Sequence, residues 1–338
     1  MTKPLVSIIT PCYNGEAFLK RYFESILNQT YPNLELIFIN DGSTDRTEEI
    51  ALSYRERLEK RGITYIYEKQ ENAGQAAALN RGLKLFTGEY LTWPDSDDEM
   101  VSDAVEKKVD YLEQHPDYGF CICKTKVVNE NNPEMKCGYY ERMKPEGEDY
   151  LFEDILFLRN IYFAPGAYMV RSEELLEVLP DREIYTGKGG QNAQVLLPMA
   201  YSYKCGYMDD ILYLYYIREE SHSHSITDSK KVIQQLEYYE TILLETLKKM
   251  GNDIYEKYEG KIKCFYAARK FGNAVDTRDR EFIRKEYLEM QKQNFYIPFK
   301  TKLLYIKSTN RILKSIVDKV KGLSLIHISE PTRQAEIS

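Results

Sequence analysis

The chain has 338 residues, 43% hydrophobic and 29% charged, which is the composition of a folded protein with one large or two modest cores, not of a disordered chain. Its net charge of -7 argues against nucleic acid as the main partner. It contains no run of about eighteen apolar residues, so no membrane-spanning helix is expected.

Met1-Thr2-Lys3-Pro4 leads straight into an apolar segment without the pattern of a secretory signal. The apolar runs Leu5 to Ile9, Leu34 to Ile39, Ile63 to Tyr67 and Glu89 to Trp93 read as strands. Between them lie helical stretches: Glu16 to Asn28, closed by Tyr31-Pro32, one from a Ser43 or Thr44 cap to about Lys60, and an alanine-rich one from Gly74 to near Gly82. Alternation at this spacing predicts βαβ units in a mostly parallel, mixed α/β sheet. Further strands are expected near 118–123, 166–170 and 211–217, and helices over 229–250, 253–275, 279–293 and 300–320. The six cysteines (Cys12, Cys121, Cys123, Cys137, Cys205, Cys264) lack metal-site spacing, and free thiols in a reducing cytoplasm are expected.

Ligands of open α/β sheets bind beyond the carboxyl ends of the strands. The polar clusters Pro11 to Asn14, Asp41 to Asp45 and Asp95 to Asp98 all fall at such ends. Asp95-Ser96-Asp97-Asp98 places three carboxylates within four residues. Their mutual repulsion is relieved best by a cation, and hard oxygen ligands suit Mg²⁺ or Mn²⁺ bridging to phosphates. Taken alone, the run reads first as a solvated acidic turn that caps the next helix; the motifs around it reverse that order.

Pro11-Cys12-Tyr13-Asn14, Asp41-Gly42-Ser43-Thr44-Asp45, Asn72-Ala73-Gly74-Gln75 with Asn80-Arg81-Gly82, and Asp95-Ser96-Asp97-Asp98 together resemble the family 2 glycosyltransferases in order, spacing and strand context, over roughly residues 4–225. The resemblance implies a GT-A fold, a nucleotide-diphosphate sugar donor (most often a UDP-sugar), a divalent cation and an inverting transfer. It implies that Pro11, Tyr13 and Asn14 line the nucleoside pocket. Asp41 would hydrogen-bond the base, with Gly42 and Ser43 completing the pocket. Asn72, Gly74, Asn80 and Arg81 would approach the ribose and diphosphate. Asp95 and Ser96 would face the ribose and donor sugar, Asp97 would hold the metal, and Asp98 belongs to the same catalytic cluster. Tyr13 as a core aromatic, and Asn72 and Asn80 as helix-end residues, are compatible plain roles. In Arg218-Glu219-Glu220-Ser221-His222-Ser223-His224-Ser225, the resemblance suggests a loop that closes over the diphosphate. His222 or His224 would then ligate the metal and Arg218 would meet a phosphate; plain surface histidines are the alternative.

The pattern departs where an acidic base would be expected near a helix start. The sequence there is Gly187-Lys188-Gly189-Gly190-Gln191-Asn192, a variant resembling a Gly-Gly-Gln-Asn subgroup. Amides cannot take a proton from the acceptor hydroxyl, so Gln191 and Asn192 are read as donor-sugar or acceptor contacts, with Asp181 and Glu183 the nearest candidate bases. A non-catalytic nucleotide-sugar-binding protein is therefore an alternative. A sugar nucleotidyltransferase fits less well, because Pro11 to Asn14 is not a glycine-rich basic phosphate loop.

The expected organisation is a catalytic domain over 1–225 (nucleotide-binding half 1–115, acceptor half 116–225) and a helical region over 226–322. Residues 298–322 carry seven Lys or Arg and one Asp, with Ile306, Leu313, Val317 and Val320 at helical spacing. This amphipathic helix either lies at an anionic membrane surface, suited to a lipid-linked or glycan acceptor, or packs on the protein. Residues 323–338 (LSLIHISEPTRQAEIS) lack periodicity and resemble a translated sequencing adapter. They are set aside, His327 with them, and the natural chain is expected to differ beyond Gly322.

Overall fold

The computed structural model describes residues 3–142, 149–188, 190–218, 229–292 and 296–309. They fall into two compact units, divided near residue 224. The first unit begins with β1 (Val6–Cys12), α1 (Leu19–Leu27), β2 (Leu34–Asp41), α2 (Thr47–Ser53), α3 (Arg55–Arg61), β3 (Thr64–Gln70), α4 (Gln75–Leu83) and β4 (Tyr90–Thr92). It continues with β5 (Glu99–Met100), α5 (Ala104–Gln114), β6 (Tyr118–Asn129), β7 (Tyr139–Tyr140), α6 (Phe152–Leu156), a 3-10 turn (Pro165–Ala167), β8 (Tyr168–Arg171), α7 (Ser172–Val178), α8 (Asn192–Ser202) and β9 (Lys204–Ile217).

The strands form one nine-stranded sheet in the order β3-β2-β1-β4-β8-β6-β9-β5, with β7 beside β6. The N-terminal half is parallel: Val6 pairs with Leu34 and Tyr90, and Asp41 with Gln70. β1 and β2 are buried along their whole length, their polar Ser7, Thr10, Glu35 and Asn40 included, as the inner strands of a parallel sheet should be. The second half alternates: β8 runs antiparallel to β4 and β6, and β9 runs parallel to β6. The sheet is thus mixed, and parallel throughout only across β3-β2-β1-β4.

Two reversals return β6 and β9 to the direction of β4, and this fixes the site. The carboxyl ends of β1, β2, β3, β4, β6 and β9 all emerge on one edge. Residues far apart in sequence, such as Asn14, Asp41, Asp97, Glu130 and Arg218, lie at or just beyond these ends.

The second unit contains α9 (Ser229–Met250), α10 (Asn252–Thr277), α11 (Arg280–Lys292) and α12 (Phe299–Thr309). Ala267, Phe271, Ala274, Ile283, Tyr287, Met290 and Ile297 form its core around α10 and α11. The Tyr287 and Tyr305 rings stack at 3.9 Å. A buried cation, Lys270, bridges Glu240 (2.9 Å) and Glu286 (3.6 Å). The expected extension of the last helix over 310–320 and the segment 323–338 lie outside the described residues. Among the described residues no helix is long and apolar enough to cross a membrane.

Candidate active site

The site begins where β1 and β2 end. Asn14 takes a left-handed conformation (φ 51°), which asparagine tolerates better than most residues. Its backbone N–H donates to Ser43 Oγ (2.9 Å), and its Oδ1 accepts from Thr44 N–H (2.9 Å), so the two loop tips are locked together. Gly42 (φ 71°) lies against the next loop: a Cβ there would stand 2.6 Å from the Asn72 backbone nitrogen. Asp41 is buried, and its carboxylate accepts from Gln70 Nε2 (2.7 Å) and from the backbone N–H groups of Ala73 (3.0 Å) and Gly74 (2.9 Å). Asp41 thus fastens the Asn72–Gly74 loop to β2. Tyr13 leaves its ring 53% exposed beside these loops, so it is not the core aromatic that a strand end alone would permit.

Beyond β4, Asp95, Asp97 and Asp98 each present a carboxylate oxygen within 4.8 Å of the others. Asp95 accepts from Gln75 Nε2 (2.8 Å) at the start of α4, and its N–H donates to Tyr213 Oη (3.2 Å). Asp98 is buried, accepting from Tyr213 Oη (2.8 Å) and Tyr216 N–H (2.9 Å) on β9. Asp97 is ion-paired with Arg218 just after β9, while Arg21 of α1 donates to its carbonyl. Withdrawal from water pushes the Asp95 carboxyl up to about 8, with the neighbouring Asp97 charge as a second cause. Burial, with Asp97 and Asp95 nearby, pushes Asp98 well above its ordinary range. Burial also raises Asp97, against the lowering influence of Arg218. A bound cation would offset each of these costs. The half-buried Asp95 and Asp97 have the hard donors and free lone pairs that Mg²⁺ or Mn²⁺ requires, whereas both oxygens of Asp98 are already engaged. Ser96 lies against the buried Cys12 thiol, which burial pushes up to about 12.

One hydrogen bond brings the α8 start to this edge: Trp93 Nε1 donates to Asn192 Oδ1 (2.8 Å), both residues being buried. Gln191 is also buried, and its Oε1 has no hydrogen-bond partner. The structure does not bring Asn80, Arg81, Asp181 or Glu183 to the acidic cluster. The Asn80 amide closes two bonds with the Ile184 backbone (2.8 Å each), pinning the α7–α8 connection to α4. Arg81 pairs with Glu68 at the surface (2.8 Å). Glu183 pairs with Lys84 (3.2 Å), nine residues along from Gln75 and hence roughly 14 Å down the helix from the Asp95 contact. Asp181 is exposed on the same connection. Glu183 thus faces the end of α4 remote from Gln75, and Asp181 shares its connection. His222 and His224 lie outside the described residues.

Sequence reasoning missed Arg21, Gln75, Glu130, Tyr213 and Tyr216. Gln75 stood inside a motif as its last letter. The others lie singly on α1, after β6 and on β9, and only the sheet order collects them.

A mixed sheet whose parallel tips gather interlocked loops around a carboxylate cluster is the architecture of the GT-A glycosyltransferases. Residues 7–179 match Glycosyl transferase family 2, and the chain belongs to that family. Among curated relatives, an uncharacterized glycosyltransferase of Rickettsia typhi is 45% identical over 109 residues, 32% of each protein. Glycosyltransferase GlyA of Streptococcus pneumoniae serotype 4 is 44% identical over 101 residues, 30% of this chain and 14% of that protein. A putative teichuronic acid biosynthesis glycosyltransferase, TuaG of Bacillus subtilis, is 37% identical over 110 residues, 32% of this chain and 42% of that protein. The matched segments thus span less than half the length of these relatives. The fold is similar to that of S. aureus TarS 1-349 in complex with UDP-GlcNAc (TM-score 0.54, 16% identity, 92% of each chain). It is also similar to the mannosyltransferase PcManGT of Pyrobaculum calidifontis in complex with GDP-Man and Mn²⁺ (TM-score 0.52, 19% identity, 94% of this chain and 89% of that one).

Proposed function

We propose that the protein transfers a sugar from a nucleotide-diphosphate donor, a UDP-sugar foremost, to an acceptor hydroxyl with inversion, using Mn²⁺ or Mg²⁺, in the assembly of a cell-surface glycan. The observation that carries this reading is the set of three carboxylate oxygens within 4.8 Å of one another at the sheet edge where the β1, β2 and β3 loops interlock. The TarS and PcManGT structures with UDP-GlcNAc and with GDP-Man and Mn²⁺ support the donor class, and the name of TuaG supports a polysaccharide product.

In this reading Asp97 and Asp95 hold the cation, with His222 or His224 as a further ligand, and when bound it offsets charge developing on the departing diphosphate. Tyr13 offers a ring face to the base, while Pro11, Asn14, Gly42 and Ser43 shape the nucleoside pocket. Asp41 meets the base at its rim and holds the Asn72–Gly74 backbone, where Gly74 permits close approach of the ribose and diphosphate. Asp95 and Ser96 face the ribose and donor sugar, and Asp98 backs the same cluster from its buried position. Gln191 Oε1, buried and without a partner in the fold, would accept from a hydroxyl of the donor sugar or the acceptor, a donor that would relieve its cost. The Gly-Gly-Gln-Asn variant would then be a subgroup pattern of an active enzyme. Residues 1–225 serve as the catalytic domain and 226–322 as its helical companion.

Membrane contact belongs to the same reading. α12 leaves Phe299 (69%), Leu303 (49%) and Ile306 (42%) exposed on one face, flanked by Lys300, Lys302 and Lys307, which suits an anionic bilayer and a lipid-linked acceptor. Flotation with anionic vesicles tests it: deletion of 298–322 should abolish flotation, and equal behaviour of both proteins would refute contact.

A thermal-shift screen of UDP-, GDP- and dTDP-sugars with and without Mn²⁺ tests the main reading. Metal-dependent stabilisation by one donor is expected, and Asp97→Ala should abolish it; no response to any donor would refute the reading. The buried Gln191-Asn192 amides favour a second reading, nucleotide-sugar binding without turnover. Donor hydrolysis by the intact protein would exclude it.

A further inference from the structure

Asp97 is already paired. Arg218 donates from Nη2 to its Oδ2, and its Cζ lies over the Phe18 ring, 3.8 Å from the centroid. Arg21 donates to the Asp97 carbonyl and covers the Tyr216 ring at 3.6 Å. Glu130, the residue after β6, stands between the two guanidiniums: its Oε1 accepts from Arg21 Nη1 at 2.6 Å, and its Oε2 is 3.7 Å from Arg218 Nε. Neither Arg218 Nε nor Glu130 Oε2 has a hydrogen-bond partner, although both are buried. Arg218 therefore holds Asp97 closely and Glu130 loosely, with a second partner a small shift away.

These four side chains sum to zero charge. A divalent cation on Asp97 would bring two positive charges against the Arg218 guanidinium at the same carboxylate, and in a half-buried site such like charges repel each other strongly. The aromatic stacking on Phe18 does not depend on Asp97, and Glu130 can take up the freed N–H groups. Resting on the metal-dependent reading above, the geometry points to Arg218 as an exchangeable counter-ion. It neutralises Asp97 while no metal is bound, and the metal displaces it onto Glu130 and toward an anion at the same edge. Glu130 is the positioning residue that keeps the displaced guanidinium there.

This assignment makes two variants move metal affinity in opposite directions, which a merely structural role would not. Calorimetric titration of the full chain with MnCl₂, without nucleotide, is the first measurement. Titration with UDP at saturating Mn²⁺ is the second. Arg218→Gln removes the competitor and should tighten Mn²⁺ binding on the order of tenfold while weakening UDP by a similar factor, the usual size of a coupling between ligands. Arg218→Met, which keeps an apolar stem on Phe18, should do the same. Glu130→Gln removes the alternative partner, commits Arg218 to Asp97 and should weaken Mn²⁺. Parent-like or weaker Mn²⁺ binding in both Arg218 variants would overturn the exchange, as would a change of the same sign in the Arg218 and Glu130 variants. If the parent itself binds neither Mn²⁺ nor UDP, the metal-dependent reading fails and the exchange falls with it. A parent that binds both, with variants that do not differ, overturns the exchange alone.

Discussion

At the scale of single residues, backbone conformation explains two of the motif positions better than side-chain chemistry does. Gly42 combines φ 71° with a Cβ position 2.6 Å from a backbone nitrogen, so no side chain fits without moving the Asn72 loop. Gly42→Ala should therefore cost about 2 kcal/mol or more, from left-handed strain plus the displaced loop, read as a shift of the urea midpoint. Gly74 (φ 89°, ψ 162°) occupies a region that is essentially glycine's alone. Both glycines stood out in the sequence as motif positions, and so did the aspartates as a cluster. The use of Asp41 was not: its carboxylate caps the Ala73 and Gly74 N–H groups, a partnership set by the β2–β3 register. Arg21 and Glu130 were invisible for a related reason. A lone charge on a helix or after a strand has no pattern, and its meaning comes from what faces it.

At the scale of elements, neighbouring residues of one helix should answer mutation differently. Asn80→Ala removes two buried hydrogen bonds that tie the α7–α8 connection to α4 and leaves the Ile184 N–H and C=O unsatisfied, which should cost about 2 kcal/mol. Arg81→Ala breaks only an exposed pair and should stay within about 0.5 kcal/mol. Chemical denaturation of both variants checks the contrast. Likewise, Asn192→Leu leaves the indole N–H of Trp93 buried without an acceptor and should cost about 1–3 kcal/mol. The first four strands were readable because each is an apolar run closed by a turn residue. The helix expected from Ser43 or Thr44 to Lys60 proves to be two, α2 and α3, meeting at Tyr54. At that junction the Tyr54 ring stacks on Phe23 at 4.7 Å. The long β6–β9 pair was read only in fragments, since register shifts near Cys123 and Lys124 interrupt its alternation.

At the scale of the whole molecule, burial decides which cysteines react. Cys12, Cys121, Cys123 and Cys205 are buried, whereas Cys137 and Cys264 are partly open. A disulfide reagent at pH 8 should therefore modify Cys137 and Cys264 in the native protein and the remaining four only on unfolding. Burial pushes the Cys12 and Cys121 thiols from 9.0 up to about 12. Below pH 9 both the folded and unfolded states keep these protons, so no difference arises. As pH rises from 9 toward 12 the unfolded chain releases them first, and stability should fall. Urea midpoints measured across that window should decline, and Cys121→Ala should lessen the decline.

The central claim is that the carboxylates after β4 hold a divalent ion beside the diphosphate of a nucleotide-sugar. A crystal of the protein with Mn²⁺ and UDP, measured at the manganese absorption edge, tests it most directly. The account predicts one anomalous peak within coordinating distance of Asp97, with the diphosphate against it and the base between Tyr13 and the Asp41 loop. Nucleotide bound elsewhere, with no anomalous signal near Asp95, Asp97 or Asp98, would contradict it.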